Sequence, residues 1–167
     1  MSVILERVGF APDYVNYVES LDMQSRLHAE VAARARQNTI LLLEHEPVIT
    51  AGKRTEDHEY PTDRSTPVVK IDRGGKLTWH GPGQLTGYPI LKLPEPLDVV
   101  AYVRLLEEII MNVLAQLGIK GERVQGRSGV WILGDGITPD KKIAAIGIRV
   151  SKQTTMHGFA INCCNET

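Results

Sequence analysis

Between residues 73 and 89 the chain sets Arg73, Thr78, His80 and Gln84 among the glycines Gly74, Gly75, Gly81, Gly83 and Gly87. Glycine at this density lets backbone come close to a bound group and accepts positive φ. Ordinary turns draw on Asn, Asp, Ser and Pro instead, so a cation, a hydroxyl, an imidazole and an amide in their place mark a ligand site. A tight hairpin would account for the glycines alone. Neither G-x-G-x-x-G nor G-x-x-x-x-G-K-[ST] can be read here, so phosphate cradling has no support. His80 could serve a metal or act as a base, but no second histidine stands at ligand spacing, and His45 and His157 are distant in sequence. The expectation is a structural histidine bonded to backbone, with no metal.

Two further segments could carry chemistry. Lys142 opens the apolar run Ile143-Ala144-Ala145-Ile146-Gly147-Ile148. A lysine at a strand entrance is ordinarily a solvated end; one facing an apolar pocket would have its pKa lowered by desolvation and exchange protons near neutrality. The third segment, His157-Gly158-Phe159-Ala160-Ile161-Asn162, enters a strand through a glycine and reads either as plain core or as a second wall of a site.

The elements that must position these residues follow from periodicity. Across 13–37, Tyr14, Tyr17, Val18, Leu21, Leu27, Val31 and Ala35 recur at helical intervals. A second helix is expected over 98–117, with Val99, Val103, Leu106, Ile109, Ile110, Val113, Leu114 and Leu117 on one broad face and Gly118 ending it. Strands are expected at 39–44, 47–51, 68–71 and 159–163, with 130–133 and 143–150 forming a long-looped hairpin. The charged stretch 53–66 reads as a surface loop. This order lacks the strand–helix alternation of a doubly wound sheet, so the expected fold is α+β, a mixed and largely antiparallel sheet flanked by helices.

Bulk properties narrow the function. At 167 residues with 43% hydrophobic and 23% charged residues, one domain over 1–167 is expected. A net charge of -1 gives no reason to expect nucleic acid or an anionic membrane as partner. The N-terminus carries Glu6, Asp13 and Glu19 and has no secretory pattern. Cys163 and Cys164 are neighbours and poorly placed to staple the fold, which points to a reducing, cytoplasmic setting.

Taken together, residues 42–50 (LLEHEPVIT), Arg73-Gly74-Gly75 continuing to Thr78-Trp79-His80-Gly81-Pro82-Gly83-Gln84, residues 142–147 and residues 157–162 resemble the lipoyl(octanoyl) transferases in type, order and spacing. The resemblance implies a domain similar to the catalytic domain of biotin and lipoate protein ligases. It implies an acyltransferase that takes octanoyl from octanoyl-acyl carrier protein, holds it as a cysteine thioester, and passes it to a lysine of a lipoyl domain. Acceptors would be the lipoyl domains of 2-oxoacid dehydrogenase complexes and the glycine cleavage H protein; no cofactor is implied. By position, Arg73, Gly74, Gly75, Lys76, Leu77, Thr78, Trp79 and His80 would line the acyl site, with Ala145, Ile146 and Gly147 and with Gly158, Phe159 and Ala160. Lys142 would activate the cysteine. That cysteine belongs to a Pro-Cys-Gly segment that the resemblance places downstream of Asn162 and that the sequence does not contain, so the chain reads as C-terminally shortened and inactive as it stands; the role does not pass to Cys163 or Cys164. The alternatives are an ATP-dependent lipoate or biotin ligase, against which the His-Gly-Pro-Gly-Gln run speaks, and a non-catalytic acyl-binding protein.

Overall fold

A computed structural model describes residues 2–165 and falls into two compact units, Met1–Pro94 with Gly147–Thr167, and Glu95–Ile146. In the first, β1 (Val3–Gly9) runs parallel to β2 (Asn38–Leu43), Val3 opposite Asn38. β2 is antiparallel to β6 (Gln84–Ile90), and β6 to β10 (Thr154–Asn162), which puts Thr86 opposite both Leu43 and Ala160. β10 neighbours the end of β9 (Lys141–Ser151), reached through Lys152 and Gln153, whose left-handed φ values of 49° and 59° suit a two-residue hairpin turn. A smaller sheet has β3 (Val48–Ala51) in the middle, parallel to β4 (Val68–Lys70) and antiparallel to β5 (Leu77–His80), with Thr50 opposite Thr78.

The alternating pattern of β2 buries Thr39, Leu41 and Leu43. These meet α1 (Tyr17–Ala32), which is started by the Asn16 side chain accepting from the Val18 amide at 3.0 Å. Its buried stripe is Tyr17, Ser20, Gln24, Leu27 and Val31, at alternating steps of three and four. Ser20 and Gln24 thus take core positions that the apolar pattern assigned to Val18 and Leu21, and Val18 is exposed. Val15, Leu27, Val31, Leu41, Leu43, Tyr88 and Ile90 form the core of this unit.

In the second unit, β7 (Glu122–Val124) pairs antiparallel with β8 (Arg127–Ile132), and β8 with the first part of β9. α2 (Val99–Gln116), capped by Asp98 on the Ala101 amide, packs on β8 through Tyr102, Leu106, Ile110 and Leu114. Glu107 is fully buried on the same side; it takes Arg104 at 2.7 Å and the Arg123 Nε at 3.0 Å, and accepts from the Gly129 amide. The broad apolar face expected of this helix is only half used, because Val99, Ile109, Val113 and Leu117 are exposed.

The α+β expectation holds, with a mixed and largely antiparallel sheet. The glycine-rich segment 73–89 holds β5 and all but the last residue of β6, joined at Gly81–Gly83. No helix among the described residues is long and apolar enough to cross a membrane.

Candidate active site

The site is built around Arg73, which follows β4 and is buried. Its guanidinium donates to the Thr50 carbonyl at 3.0 Å, to the Thr50 hydroxyl at 2.8 Å and to the Gly74 carbonyl at 2.9 Å. It fits because its neighbours have no side chains. A Cβ at Gly147 would stand 2.8 Å from Arg73 Cδ, and a Cβ at Gly52 would stand 2.8 Å from Nη1. Burial lowers the Arg73 pKa, yet an arginine stays charged under any ordinary condition. No carboxylate pairs with it among the described residues. A buried cation satisfied only by neutral oxygens leaves a positive field for a ligand.

Thr50 links Arg73 to His80. The Thr50 hydroxyl lies 3.3 Å from His80 Nε2, while Nδ1 meets Gln84 Oε1 at 2.8 Å. The Gln84 amide group donates to the Trp79 carbonyl and to Asn162 Oδ1, which fixes its oxygen toward His80. His80 therefore carries its proton on Nδ1. Burial, with the charges of Arg73 and neighbouring histidines, pushes its pKa down to about 3. It is a satisfied histidine, held by side chains rather than by the backbone expected.

The fold brings His45 to 5.7 Å from His80, ring centroid to centroid, despite their separation in sequence. His45 Nδ1 donates to the Val15 carbonyl at 2.8 Å, so Nε2 accepts from the Tyr88 hydroxyl at 2.7 Å. Burial lowers its pKa to about 4. Tyr17 stacks on His80 at 6.1 Å, and burial raises both tyrosine pKa values, that of Tyr17 and that of Tyr88. The floor of the site is thus neutral at pH 7, and Arg73 supplies its charge. Among the described residues no group of three or more His, Cys, Asp or Glu could hold a metal.

Beside it, Asp72 accepts from His157 Nε2 at 3.0 Å and pairs with Arg149. Burial alone would raise the Asp72 pKa, but these partners hold it below the usual range. His157 has a lowered pKa, chiefly from burial, and feels the charge of Arg73.

Of the residues assigned to the site, Arg73, Gly74, Gly75, Thr78, His80 and Gly147 come together in the first unit. Gly74 donates to the Ile148 carbonyl at 3.1 Å, tying the loop to β9. Gly158, Phe159 and Ala160 follow His157 on β10; the Phe159 ring fills the space that a side chain at Gly87 would need. Leu77 and Trp79 are half-buried on β5. Lys76 departs from the expectation: its ammonium bonds Glu59 at 2.5 Å on the surface, so it faces outward. Ala145, Ile146 and Lys142 belong to the second unit, where Lys142 is exposed with its ammonium 4.6 Å from the Trp131 ring centroid. Thr50, Asp72, Tyr17 and Gln24 carry no site assignment from sequence. For Gln24 the signal available is a polar side chain at the core phase of α1, beside Ser20.

The fold is that of proteins that handle lipoate. LipL1 of P. falciparum, crystallised in complex with lipoate, superposes with a TM-score of 0.71 over 99% of this chain at 14% identity; the chain spans 49% of that protein's length. The lipoyl protein ligase A/B catalytic domain matches residues 16–167, and the chain belongs to that family. The octanoyltransferase of Leifsonia xyli subsp. xyli (strain CTCB07) is 62% identical over 161 residues, 96% of this chain and 71% of that protein. That of Renibacterium salmoninarum (strain ATCC 33209) is 56% identical over 166 residues, 99% of this chain and 71% of that protein.

Proposed function

We propose that this chain is the acyl-binding part of an octanoyltransferase of protein lipoylation. The observation that carries the reading is Arg73, buried in a glycine-walled niche with no carboxylate among the described residues to neutralise it. Identity of 62% to an octanoyltransferase supports the reaction class. In this reading the octanoyl carbonyl lies against Arg73 and nearby backbone amides, which stabilise the oxyanion of acyl transfer. Burial of the octanoyl chain contributes about 0.8 kcal/mol per methylene. The donor is octanoyl-acyl carrier protein, and the acceptors are lipoyl domains of 2-oxoacid dehydrogenase complexes and the glycine cleavage H protein.

In this reading the acyl group passes through a cysteine thioester, and Lys142 activates the thiol. The thiolate attacks the carrier thioester, releasing the carrier thiol, and the acceptor lysine then displaces the cysteine. The test incubates the full-length protein with octanoyl-acyl carrier protein and an unmodified lipoyl domain, and reads intact mass. Octanoylation without ATP, lost in Lys142→Ala, is expected. Octanoylation only from free octanoate with ATP would make the protein a ligase instead.

A further inference from the structure

Five side chains of the first unit, Arg73, Thr50, His80, Gln84 and Asn162, form a chain of hydrogen bonds in which every donor points the same way. Arg73 Nη2 donates to the Thr50 hydroxyl at 2.8 Å. The proton of that hydroxyl is left to His80 Nε2 and the Thr78 carbonyl, each 3.3 Å away. His80 Nδ1 donates to Gln84 Oε1 at 2.8 Å, and Gln84 Nε2 donates to Asn162 Oδ1 at 2.9 Å. A neutral imidazole has one N–H, so holding it on Nδ1 makes Nε2 an acceptor and turns a Thr50 lone pair toward Arg73.

The direction is fixed at both ends. A guanidinium can only donate, and it stands at the start. At the far end Asn162 Oδ1 accepts twice, from Gln84 and, at 3.1 Å, from Asn165 Nδ2. Thr50, His80 and Gln84 are all buried. A reversed member would therefore set donor against donor or acceptor against acceptor where little solvent can relieve it. The chain crosses β3, β5, β6 and β10, and so ties the small sheet, which carries Thr50 and His80, to the large one, which carries Gln84 and Asn162.

We propose that Gln84 and Asn162 are positioning residues for Arg73, acting through His80 and Thr50 to hold its guanidinium toward the acyl group. The proposal rests on the acyl-transfer reading above and deepens it. In this role His80 moves no proton: it passes orientation from an amide to a hydroxyl. Asn162 ends the strand that carries Gly158, Phe159 and Ala160, so the relay joins that strand to the cation.

The test titrates octanoyl-pantetheine into the full-length protein, labelled with ¹⁵N-histidine, and reads affinity together with the two His80 nitrogen signals. Asn162→Ala removes the terminal acceptor four hydrogen bonds from Arg73. Affinity should fall about tenfold, as for the loss of one buried partner, and the His80 signals should move. Thr50→Val, which breaks the relay next to the cation, should lower affinity as far, and Thr50→Ser, which restores the hydroxyl, should recover most of it. A merely structural role would show in urea unfolding and leave the affinity of the folded protein unchanged. Unchanged affinity in Asn162→Ala, or a fall with unmoved His80 signals, would overturn the relay while leaving the acyl-site reading standing. A wild-type His80 that carries its proton on Nε2 would overturn the relay by itself. Failure of the wild-type protein to bind octanoyl-pantetheine at millimolar concentration would overturn the acyl-site reading, and the proposal with it.

Discussion

Acid should weaken this protein well before its carboxylates are protonated, because His45 and His80 are buried as neutral rings. Their folded pKa values are about 4 and about 3, against about 6.5 when unfolded. A folded pKa lowered in this way means that the unfolded chain binds protons first. The stability they contribute is complete above about pH 6.5 and is lost as pH falls toward the folded values. At about pH 5 each ring is almost fully protonated unfolded and almost neutral folded, a difference of about 2 kcal/mol per histidine and about 4 kcal/mol for the pair. The lowered pKa of His157 acts in the same direction. Asp72, whose pKa is also depressed, adds its loss only below the usual carboxylate range. Urea unfolding at about pH 7.5 and about pH 5, followed by tryptophan fluorescence, measures the difference, and His80→Gln should remove about half of it. Equal stability at the two pH values, within about 0.5 kcal/mol, would mean that these rings are solvated, contrary to their packing.

Other substitutions probe single contacts. Gly147→Val should displace Arg73, whose Cδ lies 2.8 Å from the new Cβ, lowering stability by about 1–3 kcal/mol and weakening octanoyl binding at least about tenfold in calorimetry. Glu107→Ala leaves Arg104, Arg123 and the Gly129 amide without their shared acceptor and should lower unfolding free energy by about 3 kcal/mol in urea titration. Asn16→Ala removes the cap of α1, and a loss of about 1 kcal/mol by thermal or urea unfolding is expected.

Much of this fold is legible in the sequence where periodicity and burial agree. β2 is a short run of Thr, Ile and Leu, and α2 repeats at helical spacing, so both elements can be placed to within a few residues. The side of α2 that packs is less accessible, because Ile109, Val113 and Leu117 extend the apolar face beyond what β8 covers. β1 escapes a sequence reading: its alternation includes Glu6 and Arg7, and Leu5 is 62% exposed, as befits an edge strand. β6 is hidden by Gly87 and Pro89, which weaken any strand signal; Gly87 is there because Phe159 fills its side-chain space. At the site, Arg73 and His80 stand out by residue type within the glycine-rich run. Lys76 shares that run but lies in the bends before β5 and points to the surface, where its ammonium bonds Glu59. Asp72, Gln24 and His157 meet only through tertiary packing, and spacing alone gives no sign of it.

The central claim is that the Arg73 niche binds an octanoyl group directly, without adenylate chemistry. Isothermal titration of octanoyl-pantetheine into the protein tests it. Saturable binding unaffected by ATP, and weakened at least about tenfold in Arg73→Lys, which keeps the charge but loses the guanidinium fork, is the predicted result. Binding that requires ATP, or that is equal in Arg73→Lys, would contradict it.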